Sequence, residues 1–218
     1  METEIKLGFA DKESLYGVIG SDWFTEYCTD GTSGVSYILE NSYRDTKDMK
    51  VSSRGGMVRV RHYAGGDDDF YEFTVKYGGG VEGGLHKRYE WNVKSETGVF
   101  AIGEFKKNAA DEDPVELLDE LLEGISDTDL LELCRNSFRR TFLELRYGVS
   151  TMEACIDYGT IEDSEGQVRE YICELELELV SGDVSDVQAM SEVIMANASC
   201  KPFDDTKYHR TIRYISKG

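Results

Sequence analysis

The chain has 218 residues, 40% of them hydrophobic and 11% aromatic, which allows one domain with a real core and excludes whole-chain disorder. Lys and Arg number 24 against 43 Asp and Glu, a net charge of −19 that repels nucleic acid and anionic lipid and disfavours polyanions unless the bases gather in one protected place. No run approaches the ~18 apolar residues of a membrane span, METEIKLGFA lacks the pattern of a secretory signal, and five cysteines without a CxxC pair read as free thiols, so a soluble cytoplasmic protein is expected.

In chain order, residues 1–9 alternate Glu2, Glu4 and Lys6 with Thr3, Ile5 and Leu7, a strand period. Residues 11–28 read as helix from an N-cap at Asp11, with a weakening at Gly20. Strands are expected at 35–46, 57–64, 69–78 and 85–94, separated by the turns RGG, GGDDD and GGGVEGG. Gly78-x-Gly80-x-x-Gly83 matches a dinucleotide motif by letter, but it precedes a strand and therefore reads as a hairpin loop. Residues 107–135 hold ten acids and no base between the flanking Lys107 and Arg135. Leu117, Leu118, Leu121 and Leu122 recur there at helical spacing, so the segment is an acidic helical insertion, its charge a solvated face or, alternatively, a docking surface. Strands resume at 136–147, 150–161 and 168–180, a helix follows at 184–198, and 207–216 reads as a short strand or extended arm. Eight or nine strands in one small domain suggest a closed or nearly closed antiparallel barrel with flanking helices, an α+β fold in a single domain 1–218.

The informative feature is charge that alternates along strands. Glu2-x-Glu4-x-Lys6, Arg59-x-Arg61, Thr74-x-Lys76, Arg88-x-Glu90 and Glu174-x-Glu176-x-Glu178 each place their polar residues on one strand face. Three carboxylates at i, i+2 and i+4 repel each other in water; pointing into a shared lumen with Arg and Lys, they acquire partners. Hard oxygen ligands suit Mg²⁺ or Mn²⁺, and Arg and Lys suit phosphate oxygens. The combination is that of metal-assisted phosphoryl or nucleotidyl transfer, with the bases concentrated inside an acidic exterior.

Glu2-Thr-Glu4-Ile-Lys6 resembles the ExExK signature of the CYTH superfamily, the triphosphate tunnel metalloenzymes. Further blocks follow in order: Tyr43, Asp45, Thr46, Asp48, Arg59 and Arg61 within 41–63, Lys76 in FTVKYGGG, and Arg88 and Glu90 in GLHKRYEW. FRRTF supplies an inward arginine, Arg139 by its spacing to Phe142, with Arg140 as the alternative. Asp157-Tyr-Gly159, CELELEL and KPFDDTKYHR complete the set, the last giving Lys201 and Lys207. Departures are Met57-Val58 for an aliphatic pair, Phe142 for Trp and Thr206 for Ser. The acidic insertion is similar to that of bacterial inorganic triphosphatases, whose histidine-rich C-terminal helical domain has no counterpart in the chain.

The resemblance implies an eight-stranded antiparallel tunnel that hydrolyses inorganic tripolyphosphate to pyrophosphate and phosphate with one or two Mg²⁺ or Mn²⁺ ions. It implies Glu2, Glu4, Glu174 and Glu176 as metal ligands. Lys6, Arg59, Arg61, Lys76, Arg88, Arg139 and Lys207 would hold phosphate. Glu4, Glu176 and Lys6 would be catalytic, with Glu90, Asp157, Glu178 and Lys201 in support. The expected partner is a small-molecule triphosphate, neither membrane nor nucleic acid, bound by a monomer or homodimer. Rival readings are a class IV adenylate cyclase, a thiamine triphosphatase or other organic triphosphatase, and a non-catalytic polyphosphate binder.

Overall fold

The computed structural model describes residues 1–29, 34–65, 69–109, 114–163 and 165–215, the side chain of Ile215 excepted. Asp111, Glu112 and Asp113 of the insertion and most of the GGDDD turn lie outside the described residues. Nine strands form one sheet: β1 (Glu2–Phe9), β2 (Val35–Asp45), β3 (Gly56–Ala64), β4 (Phe70–Glu82), β5 (Leu85–Ser95), β6 (Leu131–Tyr147), β7 (Ser150–Glu162), β8 (Val168–Ser181) and β9 (Cys200–Pro202). Their order is β5-β4-β3-β2-β6-β7-β8-β1, and β1 pairs back onto β5. Eight antiparallel strands thus close a barrel, and β9 adds outside the cycle along β1.

Closure sorts side chains by parity. On β1, Glu2, Glu4 and Lys6 face the lumen while Ile5 and Leu7 face outward into an apolar layer. Two short helices cover that side, α1 (Lys12–Ile19) with Leu15 and Val18 and α2 (Asp22–Thr25) with Phe24, together with α6 (Val184–Asn197), which presents Val187, Met190 and Ile194. The expected 11–28 helix therefore breaks after Gly20, while Asp11 caps α1 by accepting from Ser14 N at 2.8 Å. A third short helix, α3 (Lys50–Ser53), is held by Asp45, which accepts from Val51 N and Ser52 N.

On the opposite wall, the outer faces of β3, β4 and β5 bury Val58, Val75 and Trp91 under α4 (Ile102–Asn108) and α5 (Val115–Leu121). Leu118, Leu121 and Leu122 are fully or almost fully buried, each contributing about 1.5–3 kcal/mol of burial. Glu116, Asp119, Glu120 and Glu123 of this segment stay exposed, as a solvated acidic face requires. The boundary differs from the 107–135 expectation: α4 starts at Ile102 and β6 at Leu131, because Leu131 and Glu132 already pair with Asp45 and Arg44 of β2.

Inside the barrel, Leu39, Tyr63, Phe138, Ile161 and Ile172 share the lumen-facing parity and fill one end. The other correction is at the C-terminus. Residues 207–215 form a helix, α7 (Lys207–Ile215), and not a strand or arm. Thr206 caps it by accepting from His209 N at 3.1 Å. Its buried face carries Lys207, Arg210 and Thr211 beside Tyr208, with Ile212 packed one turn on, so polar residues outnumber the apolar ones on its inward side.

Candidate active site

The lumen opens into a cavity of about 550 Å³. Strand parity delivers its walls: Glu2, Glu4 and Lys6 from β1, Arg59 and Arg61 from β3, Glu72 and Lys76 from β4, Arg88 and Glu90 from β5, Arg140 from β6, Glu153 from β7, and Glu176 and Glu178 from β8. Lys207 enters from α7. The β4–β5 hairpin forms part of the rim through Gly78, Gly79 and Gly80, so the GxGxxG letters are indeed a hairpin. Gly79 has φ +93°, and a Cβ there would lie 1.8 Å from the Lys87 carbonyl oxygen, which excludes any side chain.

Near the rim, carboxylates and bases interleave. Lys76 Nζ donates to both oxygens of Glu2 at 2.8 Å and pairs with Glu90 at 2.5 Å. Arg88 reaches Glu4 at 2.9 Å and Glu2 at 3.3 Å. Glu90 is held at about 2: burial would raise it, but Lys76 and Arg59 outweigh burial. Glu178, opposite Glu4 in the β1–β8 register, is pushed up to about 8 by burial and by the nearby carboxylates of Glu2, Glu90 and Glu4.

Deeper in, Lys6 pairs with Glu176 at 3.2 Å. Arg140 grips Asp157 with two hydrogen bonds of 2.6 Å and touches Glu176 at 2.5 Å. Lys207 Nζ lies 2.8 Å from Asp157, 2.7 Å from Glu174 and 2.8 Å from Glu176. Burial raises the Glu176 carboxyl, and the cations Lys207, Lys6 and Arg140 overcome it and hold the group well below the usual carboxylate range. On the other wall Arg61 donates to Asn41 at 2.8 Å and Arg59 to Thr74 at 2.8 Å. Arg59 Nε is buried without a hydrogen-bond partner, so part of that guanidinium is available to a ligand.

The structure therefore brings Glu2, Glu4, Lys6, Arg59, Arg61, Lys76, Arg88, Glu90, Glu176, Glu178 and Lys207 to one cavity. Arg139 is not with them. It is exposed on the outer face of β6, and its neighbour Arg140 points inward, because parity admits only one of two adjacent residues. Glu174 and Asp157 do not line this cavity, but their carboxylate oxygens lie within 4.8 Å of one of Glu176, which does, and Lys207 pairs with all three. Glu174 instead lines a second cavity of about 440 Å³, with Arg210 and the exposed Lys201. Sequence reasoning passed over Glu72 and Glu153, although Glu72-x-Thr74-x-Lys76 carries the same alternation that marks the other strands. It also passed over His86 and Arg210: a lone histidine in a strand carries no signal, and Arg210 sits on the helix read as a strand.

Chemically, the cavity offers guanidinium and ammonium groups on several walls and carboxylate oxygens between them. Glu2, Glu4 and Glu178 present carboxylate oxygens to the cavity, and the buried group Asp157, Glu174 and Glu176, with ligand oxygens within 4.8 Å of one another, is an all-oxygen set whose chemistry fits a hard divalent cation. The five cysteines are all free thiols, three buried and two half-buried. No helix among the described residues is long and apolar enough to cross a membrane.

The CYTH domain family matches residues 30–211. The inorganic triphosphatase of Haemophilus influenzae is 31% identical over 186 residues, covering 83% of this chain and 45% of that protein. The chain thus spans about half the length of that curated relative. Among solved structures, HpAC1 from Hippeastrum, an adenylyl cyclase candidate described as having a dominant triphosphatase activity, superposes with a TM-score of 0.65 at 16% identity, covering 99% of this chain and 97% of its own. An adenylate cyclase candidate from Bacillus halodurans superposes with a TM-score of 0.53 at 16% identity, covering 96% and 98%. With the family matching most of its length and the barrel closed around the charged residues, the chain belongs to the CYTH domain family.

Proposed function

We propose that the protein hydrolyses inorganic tripolyphosphate to pyrophosphate and phosphate in the barrel lumen, with Mg²⁺ or Mn²⁺ as its cofactor. The observation that carries this reading is the single cavity in which Arg59, Arg61, Lys76, Arg88, Arg140 and Lys6 surround Glu2, Glu4, Glu176 and Glu178. The likeness to the Haemophilus influenzae inorganic triphosphatase supports the choice of substrate. Five free thiols favour a reducing cytoplasmic setting.

The bases hold the phosphate chain, the arginines by paired N–H donors and the lysines as point charges. Glu2 and Glu4, with Glu174 and Glu176 of the buried carboxylate group, would hold the cation. When bound, a divalent cation neutralises phosphoryl charge and lowers the pKa of an adjacent water. Lys76, Arg88 and Lys6, each paired with a carboxylate in the free protein, turn toward phosphate oxygens on binding. Water attacks the terminal phosphorus in line, the bond to the bridging oxygen breaks, and pyrophosphate leaves. Glu178 faces the same space and orients the attacking water, whose proton passes to a phosphate oxygen. The water-restricted lumen strengthens each of these interactions.

The test is parallel incubation with tripolyphosphate, ATP and thiamine triphosphate in Mg²⁺, Mn²⁺ or EDTA, with Glu4→Gln as control. Metal-dependent release of phosphate and pyrophosphate from tripolyphosphate, lowered by about two to three orders of magnitude in the variant, is the expected outcome. Cyclic AMP from ATP would reassign the protein as a cyclase. Tripolyphosphate that raises the melting temperature without being cleaved would make it a binder.

A further inference from the structure

His86 shares the lumen face of β5 with Arg88 and Glu90 and stands opposite Glu4 in the β1–β5 register. Only 1% of it is exposed. Its Nε2 lies 3.3 Å from the carbonyl oxygen of Phe203, which can only accept, so Nε2 carries the proton. Nδ1 then carries the lone pair, and it is buried with no hydrogen-bond partner among the described residues. A buried acceptor is costly unless a donor meets it, and the ring borders the cavity from which a donor can come.

The tautomer is fixed from outside the lumen. Phe203 N donates to the Lys6 carbonyl at 2.9 Å, and the Phe203 ring lies against Gly8, where a Cβ would come within 3.3 Å of it. Asp204 accepts from Gly84 N at 2.6 Å. The carbonyl that holds His86 is therefore anchored both to β1 and to the residue that precedes β5. Burial, and after it the Lys6 ammonium, hold the imidazole below the usual histidine range and keep it neutral.

The sign of the lone pair decides what meets it. Phosphate oxygens are themselves acceptors. Of the cations beside His86, Arg88 is engaged by Glu4 at 2.9 Å and Lys6 by Glu176 at 3.2 Å. A hard divalent cation, in contrast, keeps some of its waters, and each bound water is a strengthened O–H donor. We propose that His86 is a positioning residue whose Nδ1 accepts a hydrogen bond from a water on the lumen cation. This rests on the proposed function, in which Glu4, across the strand pair, helps to hold that cation. The histidine touches neither metal nor phosphate; it orients one water and through it steadies the cation beside β1.

Two amide substitutions separate the ring nitrogens. The glutamine nitrogen reaches the place of Nε2, so His86→Gln keeps the bond to Phe203 and removes the Nδ1 acceptor. The asparagine oxygen stands near the place of Nδ1, so His86→Asn keeps the acceptor and loses the bond to Phe203. Mn²⁺ affinity, from the free-ion electron paramagnetic resonance signal, and the melting temperature in EDTA are measured on the intact chain. His86→Gln should bind Mn²⁺ about tenfold more weakly at an unchanged melting temperature. His86→Asn should melt lower and stay close to the wild-type affinity. Unchanged affinity in His86→Gln overturns the proposal, as does a loss confined to His86→Asn, which would make the ring a tie for Phe203 alone. Spin-echo modulation of Mn²⁺ on the wild type decides the matter if His86→Gln does not fold. A weak histidine-nitrogen coupling is expected; a strong one, the mark of direct ligation, or none at all overturns the proposal. A wild type that binds no Mn²⁺ overturns the metal reading of the lumen and the proposal with it, whereas tight wild-type binding that His86→Gln retains overturns the proposal alone.

Discussion

Arg139 and Arg140 are adjacent on one strand and have opposite environments. Arg140 is buried on two carboxylates, so Arg140→Ala leaves charge uncompensated and should lower stability by about 3–5 kcal/mol. Arg139 is exposed, and Arg139→Ala should stay within about 0.5 kcal/mol; urea denaturation of both variants measures the difference. A second single-residue effect concerns Glu178. Its carboxyl is lifted from 4.5 in the unfolded chain to about 8, first by burial and then by Glu2, Glu90 and Glu4. The folded state therefore holds a proton that the unfolded state releases. The stability this lends is complete below about 4.5 and is lost as pH rises through about 8. Metal-free protein should accordingly melt at falling temperatures across that range, and Glu178→Gln should flatten the slope.

At the scale of elements, α5 is held on the barrel by close contact. A Cβ at Gly56 would lie 2.4 Å from Leu121 Cδ1. Leu121→Ala should cost about 2–5 kcal/mol by opening a cavity, and Gly56→Ala should be costly alone through overpacking. Together they should be less destabilising than their sum, a coupling that a double-mutant cycle on melting curves reads directly. The barrel strands and the helices α1 and α6 were legible because period-two and period-3.6 patterns of apolar residues mark them. α7 was not, because only Tyr208 and Ile212 mark its apolar side while Lys207, Arg210 and Thr211 also turn inward, and helical amphipathicity is read from apolar residues. The candidate site was legible wherever charge alternates along a strand, as in Glu2-x-Glu4-x-Lys6. It left Arg139 and Arg140 as alternatives, because the choice depends on the β6 register, and it did not reveal that Lys207 meets Glu174 from a helix, which strand alternation cannot show.

For the whole molecule, closure reconciles a net charge of −19 with the proposed polyanionic substrate, since the bases that would hold phosphate lie on the inside of the sheet. That closure depends on one strand. β1 pairs with β8 on one edge and with β5 and then β9 on the other, joining Glu2 to Arg88 and Lys6 to Glu176. Each partner is remote along the chain, and loop closure on that scale is slow. During synthesis β1 precedes both partners, and β8 and β9 follow it only after six further strands. β1 must wait, unpaired along the edge that β8 will fill, until β8 has been made. The closed lumen, with bases and carboxylates facing one another across it, therefore comes into being only once β8 has paired with β1.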